Sequence, residues 1–234
     1  TGDYAENSDN LEFRDFTIFG ADDIVGFGEF DTSNFVRSVL PIGNNICNPG
    51  GAFARDASHN ILIEDCTFNN ITALQIGGRY FGFQIPDTLG ADYSSNIIIR
   101  GVTVDTTSNK ALEVQETKDF EISNCWIYNA DDGIQAINYC HNGKIFNNHV
   151  EYWNAGISVS SGSYDIEVFG NRIVYDSLAG TRRNDQHFDT PGAFHFKHED
   201  EQKYTTYNVR VHDNIFDGTE RFYETGEYAV SVGF

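Results

Sequence analysis

The 234-residue chain carries 35 acidic against 15 basic residues, a formal net charge of −20, with 40% hydrophobic residues and no methionine. That hydrophobic content belongs to a folded unit rather than a disordered one. The charge argues against nucleic acid and anionic membranes as partners, and no run approaches the roughly 20 apolar residues of a membrane helix.

In chain order, LEFRDFTI (11–18), ILIEDCTF (61–68), IIIRGVTV (97–104), FEISNCWI (120–127), GKIFNNHV (143–150), IEVFGNRI (166–173) and VRVHDNIF (209–216) align on shared apolar positions. Phe13, Ile63, Ile99, Ile122, Ile145, Val168 and Val211 form one column; Ile18, Phe68, Val104, Ile127, Val150, Ile173 and Phe216 form another. The central spacing, Ile99 to Ile122 to Ile145 to Val168, is 23 residues each time, which suits a coil of three short strands and three bends. A further strand recurs before the five units from 97–104 onward and again after the last: ALQI (73–76), ALEV (111–114), GIQA (133–136), GISV (156–159), AFHF (193–196) and AVSV (229–232). Strict alternation turns Leu74, Leu112, Ile134, Ile157, Phe194 and Val230 inward.

Between the two columns stand Asp65, Gly101, Asn124, Asn147, Gly170 and Asp213, residue types that tolerate left-handed backbone and so mark a corner. Asn148, Asn171 and Asn214 follow, positioned to stack as an amide ladder. The pattern predicts an all-β solenoid, a right-handed single-stranded parallel β-helix of about 7 coils with loop insertions, folded as one domain over residues 1–234. The period breaks at about 19–51, 77–95 and 175–192, and a polar stretch at 198–207 bulges from the last full coil. Such insertions gather on one face, often the binding face. Cys66 and Cys125 fall two coils apart, about 9–10 Å, beyond disulfide reach.

The chain opens on Thr1 without a leader-like segment, and its apolar alternation runs to Phe234. Open coils need covering. The expectation is a fragment of a longer protein, with an upstream segment removed, or ends capped by further coils or partner chains.

Outward positions of the ALQI-type strands form a ladder of Gln75, Glu113, Gln135, Ser158, His195 and Ser231. Such a strip suits the hydroxyls of an extended sugar chain; equally, it reads as a solvated sheet face. Glu113, Asp131 and Asp132 fall on adjacent coils, so the two carboxyls that inverting glycoside hydrolysis requires are available, although Asp-Asp-Gly is also a natural turn into a strand. A second constellation is basic: Arg182, Arg183, His187, His195 and Lys197, with Arg79 and Tyr80 on the facing insertion. These residues suit a uronate carboxylate and, through His187, His195 or Lys197, abstraction of the adjacent proton by a lyase or C5-epimerase. They also serve simply to balance Asp185, Asp189 and Glu199. No cofactor is expected: calcium suits acidic sugars, but no calcium-loop motif is present.

The stretch NADDGIQAIN (129–138) is similar to the DDC-I-A-I segment of polygalacturonase-type glycoside hydrolases in the pectin-lyase-like superfamily, with NAGISVSSGS (154–163) and GAFHFKHE (192–199) in the places of that family's next two segments. The resemblance implies a parallel β-helix and paired aspartates at Asp131 and Asp132. The chain departs from the pattern at Asn154-Ala155-Gly156, which lacks the family's histidine, at His195-Phe196-Lys197, which replaces its arginine, and at Ser108-Asn109-Lys110, which lacks its aspartate. The functional expectation is an extracellular or cell-surface domain that binds a polysaccharide and cleaves or epimerises it. The alternative is a non-catalytic structural or adhesive solenoid such as an adhesin, a tail-spike-like module or an assembly subunit.

Overall fold

The computed structural model describes residues 10–19, 25–30, 44–46, 59–71, 74–77, 93–107, 110–175, 192–196, 205–217 and 228–232. All strand pairings among them are parallel. A first stack runs β1 (Leu11–Arg14), β5 (His59–Glu64), β8 (Ser94–Arg100), β11 (Thr117–Ser123), β13 (His141–Phe146), β15 (Tyr164–Phe169) and β18 (Tyr207–His212). A second contains β2 (Thr17–Phe19), β6 (Thr67–Ile71), β9 (Thr103–Thr107), the first parts of β12 (Trp126–Ile137) and β14 (His149–Val159), then β16 (Arg172–Tyr175) and β19 (Ile215–Asp217). The third holds β4 (Asn44–Ile46), β3 (Val25–Phe30), β7 (Leu74–Gly77), β10 (Lys110–Gln115), the later parts of β12 and β14, β17 (Gly192–Phe196) and β20 (Tyr228–Val232).

The apolar columns of the sequence are the registers of these stacks. Phe13 pairs with Ile63, Ile63 with Ile99, and so on through Ile122, Ile145 and Val168 to Val211. Ile18 to Phe216 and Leu74 to Val230 are equally continuous. Ile63, Ile99, Ile122, Ile145 and Val168, with Phe68, Leu112, Ile134 and Phe194, fill one fully buried core. The third column begins a coil earlier than the ALQI-type strands suggest: Val25, inside the stretch read as the first interruption, pairs with Leu74.

The corner residues are left-handed as their types require: Asp65, Asn124, Asn147 and Asp213 have φ of 53–56°, and Gly101 and Gly170 have 63° and 65°. At Gly170 a Cβ would lie 2.5 Å from Asn147 Oδ1, so the side chain of the preceding coil occupies the space a larger corner residue would need. One position on, the expected amide ladder is present. Asn148 Nδ2 donates to Asn171 Oδ1 and Asn171 Nδ2 to Asn214 Oδ1, both at 2.9 Å, and the backbone N–H groups of Asn148 and Asn171 donate to the same oxygens. Cys66, Val102 and Cys125 occupy the same corner on earlier coils, where each hands its carbonyl to the coil above. Cys66, Cys125 and Cys140 are free thiols, as the two-coil separation of Cys66 and Cys125 requires; Cys47 lies outside the described residues.

A second ladder runs along the start of the first stack. Asn10, Asn60, Asn96, Asp119, Asn142, Asp165 and Asn208 all have φ between 50° and 60°. Asn60 donates to Asn10 and Asn96 to Asn60, at 2.9 and 2.7 Å, and Asn142 and Asn208 donate to Asp119 and Asp165. Rings outside the first stack pile in the same way: His141 on Tyr164 and Tyr164 on Tyr207 are within 2° of parallel at 4.8 and 4.9 Å.

Candidate functional site

The polar ladder follows from the register of β7, β10, β12, β14, β17 and β20. Gln75 pairs with Glu113, Glu113 with Gln135, Gln135 with Ser158, Ser158 with His195, and His195 with Ser231. Successive coils are about 4.8 Å apart, so these positions are immediate neighbours. The alternative of a solvated face does not hold for the central rungs. Glu113 is fully buried, and Gln135, Ser158 and His195 are each under a tenth exposed, as are Asp131 and Asp132. Alternation sets which side of the sheet a residue takes; it does not make the outer side wet.

Two hydrogen-bonded groups occupy this strip. In β10, Lys110 Nζ and Gln115 Nε2 bind the two oxygens of Glu113, and Asn138 Nδ2 from the next coil donates to Gln115 Oε1 at 3.1 Å. Burying the Glu113 charge would otherwise be expensive; its cation and amide donors offset that cost. In β12, Gln135 Nε2 donates to Asp132 Oδ2 at 2.6 Å, and Asn154 Nδ2 donates to Asp132 Oδ1 at 2.9 Å. Gln135 thus joins the groups, being in register with Glu113 and bonded to Asp132. Asp132 occupies this place because β12 slips in register on either side of Ala130 as it rounds the bend. Gly133 and Gly156 allow that bend to pack, since a Cβ on either would meet the next coil's carbonyl oxygen at 2.4 Å.

Glu113 and Asp132 are therefore on adjacent coils, as the sequence implies; Glu113 is bound by Lys110 and Gln115, and Asp132 by Gln135 and Asn154. Asp131 is buried beside Asp132. His195 lies two coils beyond Gln135, with Ser158 between, so it is removed from the Asp132 group by a coil. Lys197, Arg79, Tyr80, Arg182, Arg183 and His187 lie outside the described residues. Sequence reasoning missed Lys110, Asn138 and Asn154 as members of the network. For Lys110 the signal was available: it pairs with Asp132 across the coil and sits three residues before Glu113.

The coils, stacked in parallel register, define a parallel β-helix domain. The family model described as right handed beta helix region matches residues 1–175, and the chain belongs to that family. No curated protein and no solved structure matches the chain.

Proposed function

We propose that this β-helix domain is carbohydrate-active and binds an extended polysaccharide along the ladder of β10, β12, β14 and β17, in an extracellular or cell-surface setting. The observation that carries this reading is the buried run of Glu113, Asp132, Gln135, Asn154, Ser158 and His195 on consecutive coils. Burying polar groups has a free-energy cost even when they are hydrogen-bonded to each other, and a face with a purely packing role is filled more cheaply by apolar residues. Closely spaced carboxylate, carboxamide, hydroxyl and imidazole groups are the complement of sugar hydroxyls. Cleavage at this strip would draw on Asp131 and Asp132, and lyase or epimerase chemistry on His195.

One observation favours the second reading, a structural solenoid. Glu113 is already paired with Lys110 and bonded by Gln115, and both oxygens of Asp132 accept amide donors from the chain itself, an arrangement that also suits a locked internal network. The discriminating experiment titrates the chain with acidic and neutral polysaccharides, following binding, new reducing ends and unsaturated uronates. The binding reading expects Gln135→Ala/His195→Ala to remain folded and lose affinity. Equal affinity in the double variant removes it, and folded wild-type protein that binds nothing supports the structural solenoid. Turnover that persists with both Asp131 and Asp132 replaced by alanine excludes the carboxylate pair.

A further inference from the structure

The second stack presents a separate outward surface. Trp126 is 50% exposed. Its ring stacks on His149 at 5.1 Å and 28° and lies 6.4 Å and 23° from Tyr128, while Tyr128 and His149 are 5.8 Å apart and tilted by 46°, so the three rings cluster across two coils as an uneven aromatic platform. The same column continues through Arg172 to Ile215, which is 59% exposed. Two of the three exposed large hydrophobic side chains among the described residues therefore share one column; Tyr207, the third, belongs to the first stack.

Carboxylates edge the platform. His149 Nε2 binds Glu151 Oε1 at 2.9 Å, and Asp105 Oδ1 accepts from Asn129 Nδ2 at 3.0 Å. Asp105 is in register with Tyr128 on the adjacent coil, and burial chiefly, then the Glu151 and Asp105 charges, raise the Tyr128 phenol above its ordinary range. Among the described residues, the basic side chains of this column are already partnered, His149 by Glu151 and Arg172 by Asp217.

We infer that the Trp126–Tyr128–His149 platform is a second ligand site, taking a neutral pyranose unit of a glycan chain. A pyranose has an apolar C–H face that covers an aromatic ring and a hydroxyl rim that donates to carboxylates, and the platform offers these two features side by side. Carboxylates at the rim and the net charge of −20 disfavour uronates and phosphates here. The inference does not depend on the ladder, because the first part of β12 pairs with β9 and only its later part with β10.

The test is a tryptophan-fluorescence titration of the chain with neutral hexaoses of β-1,4-linked glucose, xylose and mannose and of α-1,4-linked glucose. At least one should perturb the emission at millimolar concentration or below. Trp126→Ala should weaken that binding by about tenfold or more, read by calorimetry, with an unchanged unfolding transition. Gln135→Ala/His195→Ala should leave it intact. Absence of any response, affinity unchanged in Trp126→Ala, or loss of binding in the ladder variant instead would each overturn the assignment.

Discussion

Replacing Asn171 by alanine removes the middle rung of the buried amide ladder. The Asn171 carboxamide accepts from the Asn148 backbone N–H at 3.0 Å and from Asn148 Nδ2 at 2.9 Å, and donates to Ile145 O at 3.0 Å and Asn214 Oδ1 at 2.9 Å. Truncation loses all four bonds. The Asn148 N–H is left buried without its acceptor, at about 2 kcal/mol. Asn148 Nδ2 keeps Ile122 O, and Asn214 Oδ1 keeps the Asn171 N–H. The three remaining bonds are therefore worth roughly 0.5–1 kcal/mol each. The sum is about 4 kcal/mol, a large share of the roughly 5–15 kcal/mol that stabilises a domain. Urea unfolding followed by far-ultraviolet circular dichroism measures it. Asn147→Gly, one residue from the ladder on an exposed corner with φ of 56°, is the reference and should change stability by less than about 0.5 kcal/mol. An Asn171→Ala loss under about 1 kcal/mol, or one no larger than the reference, refutes the ladder as a main tie between coils.

Lys110→Met should cost about 3 kcal/mol by stripping Glu113 of its cation, and adding Glu113→Gln should recover most of that; urea midpoints of the three proteins decide it. Burial pushes the Cys125 thiol up to about 12 and raises Cys140 as well, with the Glu116 and Glu113 charges adding to the effect at Cys140. Site-resolved alkylation near pH 8 should leave both unlabelled until the chain unfolds. His212 is raised above its ordinary 6.5 by hydrogen bonds to Asp213 and then Glu167, and Glu167 is lowered below its ordinary 4.5 chiefly by His212. The histidine contribution is complete below 6.5 and fades as pH rises through the raised value; the glutamate contribution is complete above 4.5 and fades as pH falls through the lowered one. The difference in melting temperature between wild type and His212→Gln should therefore be greatest between pH 4.5 and 6.5, and small because the pair is on the surface.

Most of the fold was legible because a solenoid writes one geometric requirement repeatedly. The columns from Phe13 to Val211 and from Ile18 to Phe216 recur at fixed positions because each coil must fill the same place in the core. The outer amide ladder from Asn10 to Asn208 was equally present, one residue before each first-stack apolar run, but alignments anchored on apolar positions pass over it. Which residues share the site was half legible. Register gives the Glu113–Gln135–Ser158–His195 order, but the burial of these rungs depends on what lies outside the sheet, and alternation carries no record of that. Nor does the period announce the register slip around Ala130, which precedes Asp132 and its two amide donors. The exposed Trp126 also escapes the repeat, since its column holds Thr17, Thr67 and Thr103 on the coils before it but His149, Arg172 and Ile215 on those after, so no one residue type marks the position throughout.

The most direct test of the ladder as a binding strip is a crystal structure of the chain with an oligosaccharide selected by the titration. Sugar density should contact Gln135, Ser158 and His195, with hydroxyls within hydrogen-bond reach of Asp132. Density confined to the Trp126 face, or a ligand that leaves the ladder hydrogen bonds untouched and lies elsewhere, would contradict it.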